Sequence, residues 1–242
     1  MTEGATASPT PGAPPMPGLL ARMAGVIFSP RETFAAVVAR PRWFGVLAIS
    51  VAIMAGATYF LLSTETGQQQ ALDQNVRALE AFGQTVTDEM YAQIERGMEN
   101  ARYTGAISVL IATPLFMVLT AGLMHVIFGM VGGGNGTFRQ VYAIVAHSAV
   151  ISAIQQVFTV SLTIASGEPA GANLGIFVPM LDETSFVLKF LEAIDLFLVW
   201  STFVTAIGLS VLYKRRTGPI ATVLFVIYAV IALIIAFFRS WS

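Results

Sequence analysis

The 242-residue chain has 13 basic and 14 acidic side chains, a net charge of −1, and a composition that is 55% hydrophobic and 11% charged. An ordinary soluble domain is roughly 25% charged, so this composition excludes a water-soluble fold, and a mean hydropathy of +0.73 points to lipid as the solvent. With no concentrated basic surface, nucleic acid is excluded as a partner. The absence of cysteine removes disulfides, thiolate metal sites and cysteine nucleophiles.

Residues 1–17 contain five prolines and no apolar run, which predicts a disordered cytoplasmic tail. The basic start, apolar stretch and small-residue cleavage site of a signal peptide are missing from the first thirty positions, so insertion is expected to use internal spans. Residues 18–42 read as interfacial helices on the cytoplasmic side. Leu19, Leu20, Met23, Ile27 and Phe28 form one apolar stripe, and Phe34, Val37 and Val38 form another. Ser29, Pro30 and Glu32 have the spacing of a helix start, with Ser29 as N-cap, Pro30 at the first helical position and Glu32 reaching back. Anchoring at the lipid boundary is the favoured reading of these stripes, with docking into a partner's groove as the alternative.

Five apolar runs are long enough to cross about 30 Å of hydrocarbon. They fall at 43–62, 107–130, 141–165, 188–212 and 220–238, which predicts an all-α integral membrane protein with a five-helix bundle. The connection at 63–106 has seven acids against three Arg up to Tyr103. Within it Leu72, Val76, Leu79, Val86, Met90 and Ile94 recur at helical spacing, so one or two amphipathic helices are expected there, broken near Gly83. Residues 132–136 (Gly-Gly-Gly-Asn-Gly) read as a flexible turn rather than a phosphate loop, which needs a preceding strand and a Lys. Thr137 and Gln140 form a second capping box at the start of the third span. Pro114 is expected to kink the second.

Eight Lys and Arg residues fall on the side of the N-terminal segment and five on the other, diluted over a longer sequence. The positive-inside rule therefore puts the N-terminus in the cytoplasm and the C-terminus outside, in a membrane expected to be a bacterial inner membrane.

Ionisable groups at membrane depth are costly and are the first functional candidates. They sort by depth into an inner layer of His125 and His147 and an outer layer of Asp195, Glu192, Gln155 and Gln156, about 15 Å apart. Two histidines leave zinc short of ligands, so no metal is expected. Asp195 is expected to accept hydrogen bonds from Gln155 or Gln156 and fix the third span to the fourth, while Lys189 and Glu192 pair. No catalytic signature, no catalytic residue and no cofactor site emerges.

The segments Phe28-Ser29-Pro30-Arg31-Glu32-Thr33-Phe34, Arg40 to Trp43, Thr137-Phe138-Arg139-Gln140-Val141 and Ile194-Asp195-Leu196-Phe197 leading to Trp200 resemble the Yip family of five-span membrane proteins. These are the Ypt- or Rab-interacting proteins and their bacterial relatives. The resemblance covers roughly 19–238 and implies five spans with a cytoplasmic N-terminus. Eukaryotic members are associated with small GTPases and vesicle traffic, and several assemble with one another. This chain has a short segment before its first span, lacks an Asp-Leu-Tyr-Gly-Pro type motif, and has His147-Ser148 where Tyr-Ser is expected. These departures favour the bacterial-type branch and count against GTPase binding. The expectation is a non-enzymatic membrane organiser or adaptor, partnered by the lipid bilayer and by other membrane proteins or itself as an oligomer. The alternative is a transporter or channel subunit using Asp195 and Glu192.

Overall fold

A computed structural model describes residues 17–81, 83–182 and 185–239. The expected disordered tail therefore lies, save for Pro17, outside the described residues. In chain order the helices are α1 (Leu19–Phe28), α2 (Pro30–Ala39), α3 (Phe44–Leu61), α4 (Glu65–Ala81), α5 (Asp88–Gly97), α6 (Ala101–Met124), α7 (Phe138–Ser166), α8 (Phe186–Glu192), α9 (Leu196–Tyr213) and α10 (Thr217–Arg239). A 3₁₀ turn at Met98–Asn100 joins α5 to α6, and a π-helical segment at His125–Val131 extends α6. No strand is present among the described residues beyond one isolated bridge between Asn173 and Asp195.

Five helices are long and apolar enough to cross a membrane, and the chain is an all-α membrane bundle. Its centre is α7, packed by α3, α6 and α9, with α1 and α2 against its first half. Consistent with that position, 61% of the α7 span is buried inside the protein, against 11% for α6. α10 packs on α9 and α8 at the other edge of the bundle.

Local sequence explains the boundaries. The Thr137 hydroxyl accepts from the Gln140 N–H while the Gln140 side chain accepts from the Thr137 N–H, closing the expected capping box at the start of α7. α7 ends at Gly167, whose φ of +75° closes a left-handed C-cap. Gly83, at φ +77°, turns the chain between α4 and α5. Leu72 of their apolar stripe is buried, and Val76, Leu79, Val86, Met90 and Ile94 are half-buried. Pro114 lies inside α6, which continues helical on both sides.

The fourth span begins at Leu196, not at residue 188. The apolar run is broken between Ala193 and Asp195, where the chain leaves α8, bridges to Asn173 and restarts as α9. The N-terminal helices are also more deeply seated than a surface anchor requires. Phe34 and Val37 of α2 and Val26 of α1 are wholly buried, while Leu20 and Phe28 of α1 stay exposed. Burial of one such side chain contributes about 1.5–3 kcal/mol. At Gly208 of α9 a Cβ would collide with Ile144 Cγ2 and sit 3.2 Å from the Phe34 ring, so the three helices meet at a distance that only glycine permits.

Candidate functional site

The segments singled out in the sequence converge where α1 and α2 meet α7. Arg22, the only basic side chain in the apolar helix α1, is buried. Its Nη1 donates to the Arg42 carbonyl at 2.7 Å and lies 3.2 Å from His147 Nε2. His147 is wholly buried, and its Nδ1 lies 2.7 Å from the Ala143 carbonyl. A guanidinium has no acceptor and a carbonyl has no donor, so the roles are fixed: His147 accepts at Nε2 and donates from Nδ1. The imidazole is therefore the neutral Nδ1–H tautomer. Burial, and secondarily the charge of Arg42, hold the Arg22 guanidinium below its ordinary value. A guanidinium nonetheless keeps its proton in a protein, so this is a charged donor seated on a neutral acceptor.

Two further contacts close the junction. Gln140 Nε2 donates to the Val38 carbonyl at 2.9 Å, tying the capping box of α7 to the last turn of α2. The Trp43 ring stands edge-on to Tyr142, with centroids 5.0 Å apart. Pro30 occupies the first helical position of α2 and Ser29 its N-cap position, but the Ser29 hydroxyl makes no capping bond. With φ −143° and ψ 58°, Ser29 ends α1 and starts α2 at once, away from the extended ψ of a capping serine. Glu32, at the third helical position, is exposed.

His125 does not share the environment of His147. It opens the π-helical segment, faces the Phe138 ring at 6.2 Å, and its Nδ1 lies beside Gly129 together with the Tyr213 hydroxyl. Both of those polar atoms are buried without a hydrogen-bond partner among the described residues. The inner layer is thus an Arg–His junction on one side of the bundle and a His–Tyr pair of orphans on another.

The outer layer is rearranged by the late start of α9. Asp195 is the N-cap of that helix, its Oδ1 accepting from the Phe197 and Leu198 N–H groups at 2.8 and 3.0 Å. Its carboxylate thus caps the end of a helix, as Asp does well, and is not held by Gln155 or Gln156. Gln156 turns the other way and donates to the Thr58 hydroxyl of α3 at 3.2 Å. Glu192 and Lys189 belong to the short α8, outside the spanning helix. The residue that fixes this corner is Tyr228 of α10, whose hydroxyl accepts from the Asp195 N–H at 2.8 Å and donates to the Ala193 carbonyl at 3.0 Å.

Between α6, α7 and α9 lies a cavity of about 520 Å³ edged by Ser148, Ser152, Ser201, Thr202 and Thr205. The Ser148 hydroxyl is buried without a hydrogen-bond partner among the described residues. Among the described residues, no three His, Asp or Glu side chains are placed to hold a metal ion together.

Arg22 is not among the candidates that the sequence suggests, although a lone cation within an apolar helix was the available signal. Nothing comparable marks Tyr228, one of four aromatic residues in α10.

Five spanning helices, with a helical hairpin of α1 and α2 seated against the central one through a polar junction, define a polytopic α-helical membrane protein. The Yip1 domain family model matches residues 24–239, and the chain belongs to that family. No curated protein and no solved structure matches it significantly.

Proposed function

We propose that this protein acts without catalysis, as a membrane organiser or adaptor working through protein contacts within the bilayer. The observation that carries this reading is the outer face of α6. Ile107, Ile111, Leu115 and Val118 recur at spacings of four, four and three, and are 53%, 65%, 59% and 42% exposed. α6 is the least covered of the five spans, and a face of this kind is covered in a membrane either by lipid or by another helix. The rigid junction of α1, α2 and α7 would hold the Arg-rich end of the bundle in one conformation while α6 engages a neighbour. Glu192, Asp195, Gln155 and Gln156 are proposed as structural polar groups rather than a solute path. Asp195 as a helix cap supports this over the transporter alternative.

The eight basic residues at 22–42, 139 and 214–216, opposed in 17–42, 132–139 and 214–217 only by Glu32, support an orientation with this end in the cytoplasm.

The chain lacks cysteine, so single cysteines report contacts cleanly. Placed at 107, 111, 115 and 118 and oxidised in native membranes, they are expected to give intermolecular crosslinks that vanish at Met117, which α6 buries inside the bundle. Uniform absence of crosslinks along α6, with a monomer free of membrane-protein partners in mild detergent, rejects the adaptor reading.

A further inference from the structure

We infer that the crevice between α6 and α10 binds one anionic phospholipid, with its headgroup at Arg215 and Arg216 and an acyl chain running toward the bilayer midplane. This goes beyond the adaptor reading and does not depend on it.

Two cavities lie along the same pair of helices. The one at the Arg-rich end, about 330 Å³, is bounded by Arg215, Arg216, Pro219, Ile220 and Val223, with Phe128 of the π-helical segment opposite. The next, about 350 Å³, continues on the neighbouring residues, with Ile127 and Leu123 on the α6 side and Leu224, Ile227 and Ile231 on α10. Ile220, Leu224, Ile227 and Ile231 follow at spacings of four, three and four, which places them on one helix face. The two cavities are therefore the polar and apolar ends of one crevice.

Its dimensions and chemistry fit a lipid. From Ile220 to Ile231 α10 rises about 16 Å, close to half of a hydrocarbon core about 30 Å thick, the depth of one leaflet. The mouth has two guanidiniums, and among the described residues no acidic side chain lines either cavity. Guanidinium forks match phosphate oxygens, and basic pockets between membrane helices take anionic headgroups. Arg215 is already oriented, since its Nη2 donates to the Gly132 carbonyl beyond the π-helical segment. That bond fixes one guanidinium at the mouth and leaves its other donors for a ligand. The turn that carries both arginines starts at Lys214, the left-handed C-cap of α9 at φ 52° and the only non-glycine residue with a positive φ among the described residues. A free phosphate shares the polar chemistry but has nothing to occupy the apolar end, so the occupant is assigned as a lipid.

The test is lipid titration of the full-length protein in detergent, followed by native mass spectrometry. Phosphatidylglycerol and phosphatidylcholine of identical chains serve as probes, with inorganic phosphate as competitor. The wild type is expected to bind phosphatidylglycerol at least tenfold more tightly than phosphatidylcholine. Arg216→Gln should remove most of that preference and Arg216→Lys should retain it. Ile227→Trp, which fills the apolar end without changing charge, should weaken both lipids about tenfold. Arg215→Gln is avoided as the main probe because it also releases Gly132. Equal affinity for the two lipids, or a preference untouched by Arg216→Gln, overturns the assignment. So does full competition by millimolar phosphate, which would mean an anion site with no chain path. A lipid-independent dimer that Ile227→Trp dissociates overturns it as well, in favour of a protein occupant. None of these outcomes bears on crosslinking along the opposite face of α6, so the two readings fail separately.

Discussion

Arg22 of α1 and His147 of α7, 125 residues apart in the chain, meet at 3.2 Å inside the protein, charged donor on neutral acceptor. This bond makes the N-terminal hairpin part of the bundle. Removing either partner leaves the other buried and short of a hydrogen bond, at about 1–3 kcal/mol. Arg22→Leu and His147→Leu are each expected to destabilise by that amount. The double variant should lose about 1–2 kcal/mol less than the sum, since it leaves neither group stranded. Unfolding in mixed micelles measures all three, and strictly additive losses would disprove the coupling.

Asp195 caps α9, and the cost of its removal should be that of a cap. Asp195→Ala is expected to lose about 0.5–2 kcal/mol, whereas Asp195→Asn, an equally good N-cap residue, should be close to neutral. Tyr228→Phe strips the hydroxyl that serves both Asp195 and Ala193 and should cost about 1–3 kcal/mol. Loss of a solute flux in Asp195→Asn with folding intact would restore the transporter alternative.

Gly208 tests how tightly α9, α7 and α2 are pressed together. Because an added Cβ would collide with Ile144 Cγ2, Gly208→Ala should cost about 1–3 kcal/mol through overpacking. Gly56, in α3, has nothing within 4 Å of an added Cβ. Gly56→Ala should therefore be neutral or stabilising by about 0.5–1 kcal/mol. Paired thermal melts decide, and equal shifts would mean the helix crossing is looser than described.

Orientation is open to a direct measurement. Cysteines at Gln84, in the acid-rich connection, and at Arg40, at the basic end, are both exposed positions. A membrane-impermeant maleimide should label the first in intact cells and the second only after permeabilisation. The reverse pattern would invert the proposed topology.

The spans were legible because length and hydropathy alone define them, and the Thr137–Gln140 box because its bonds are local. Two features were not. Residues 186–192 set five apolar side chains around Lys189 and Glu192, enough for the sequence to run them together with α9. Only the capping chemistry of Asp195, read as a membrane-depth carboxylate, marked the break. Depth counting likewise set His147 beside His125, because both lie at a similar distance from a span end. It had no means of bringing in Arg22 from outside the spans. Contacts between helices far apart in the chain depend on which faces meet, and a single sequence fixes the faces but not their pairing.

Of the five spans, α7 has the lowest mean hydropathy, 1.5 against 3.0 for α10, and is the most thoroughly enclosed. The segment least suited to contact with acyl chains is thus the one kept from them, and most of the helices that cover it, α1, α2, α3 and α6, precede it in the chain. When α7 first emerges during synthesis those four helices are already made, and only α9, whose Gly208 packs on Ile144, is still to come. A chain halted before α9 would leave the Ile144 face and the Ser148 side of the cavity without the helix that closes them. The bonds of Arg22 to His147 and of Gln156 to Thr58 can therefore close before α9 exists, so α7 enters the membrane with its polar partners already made.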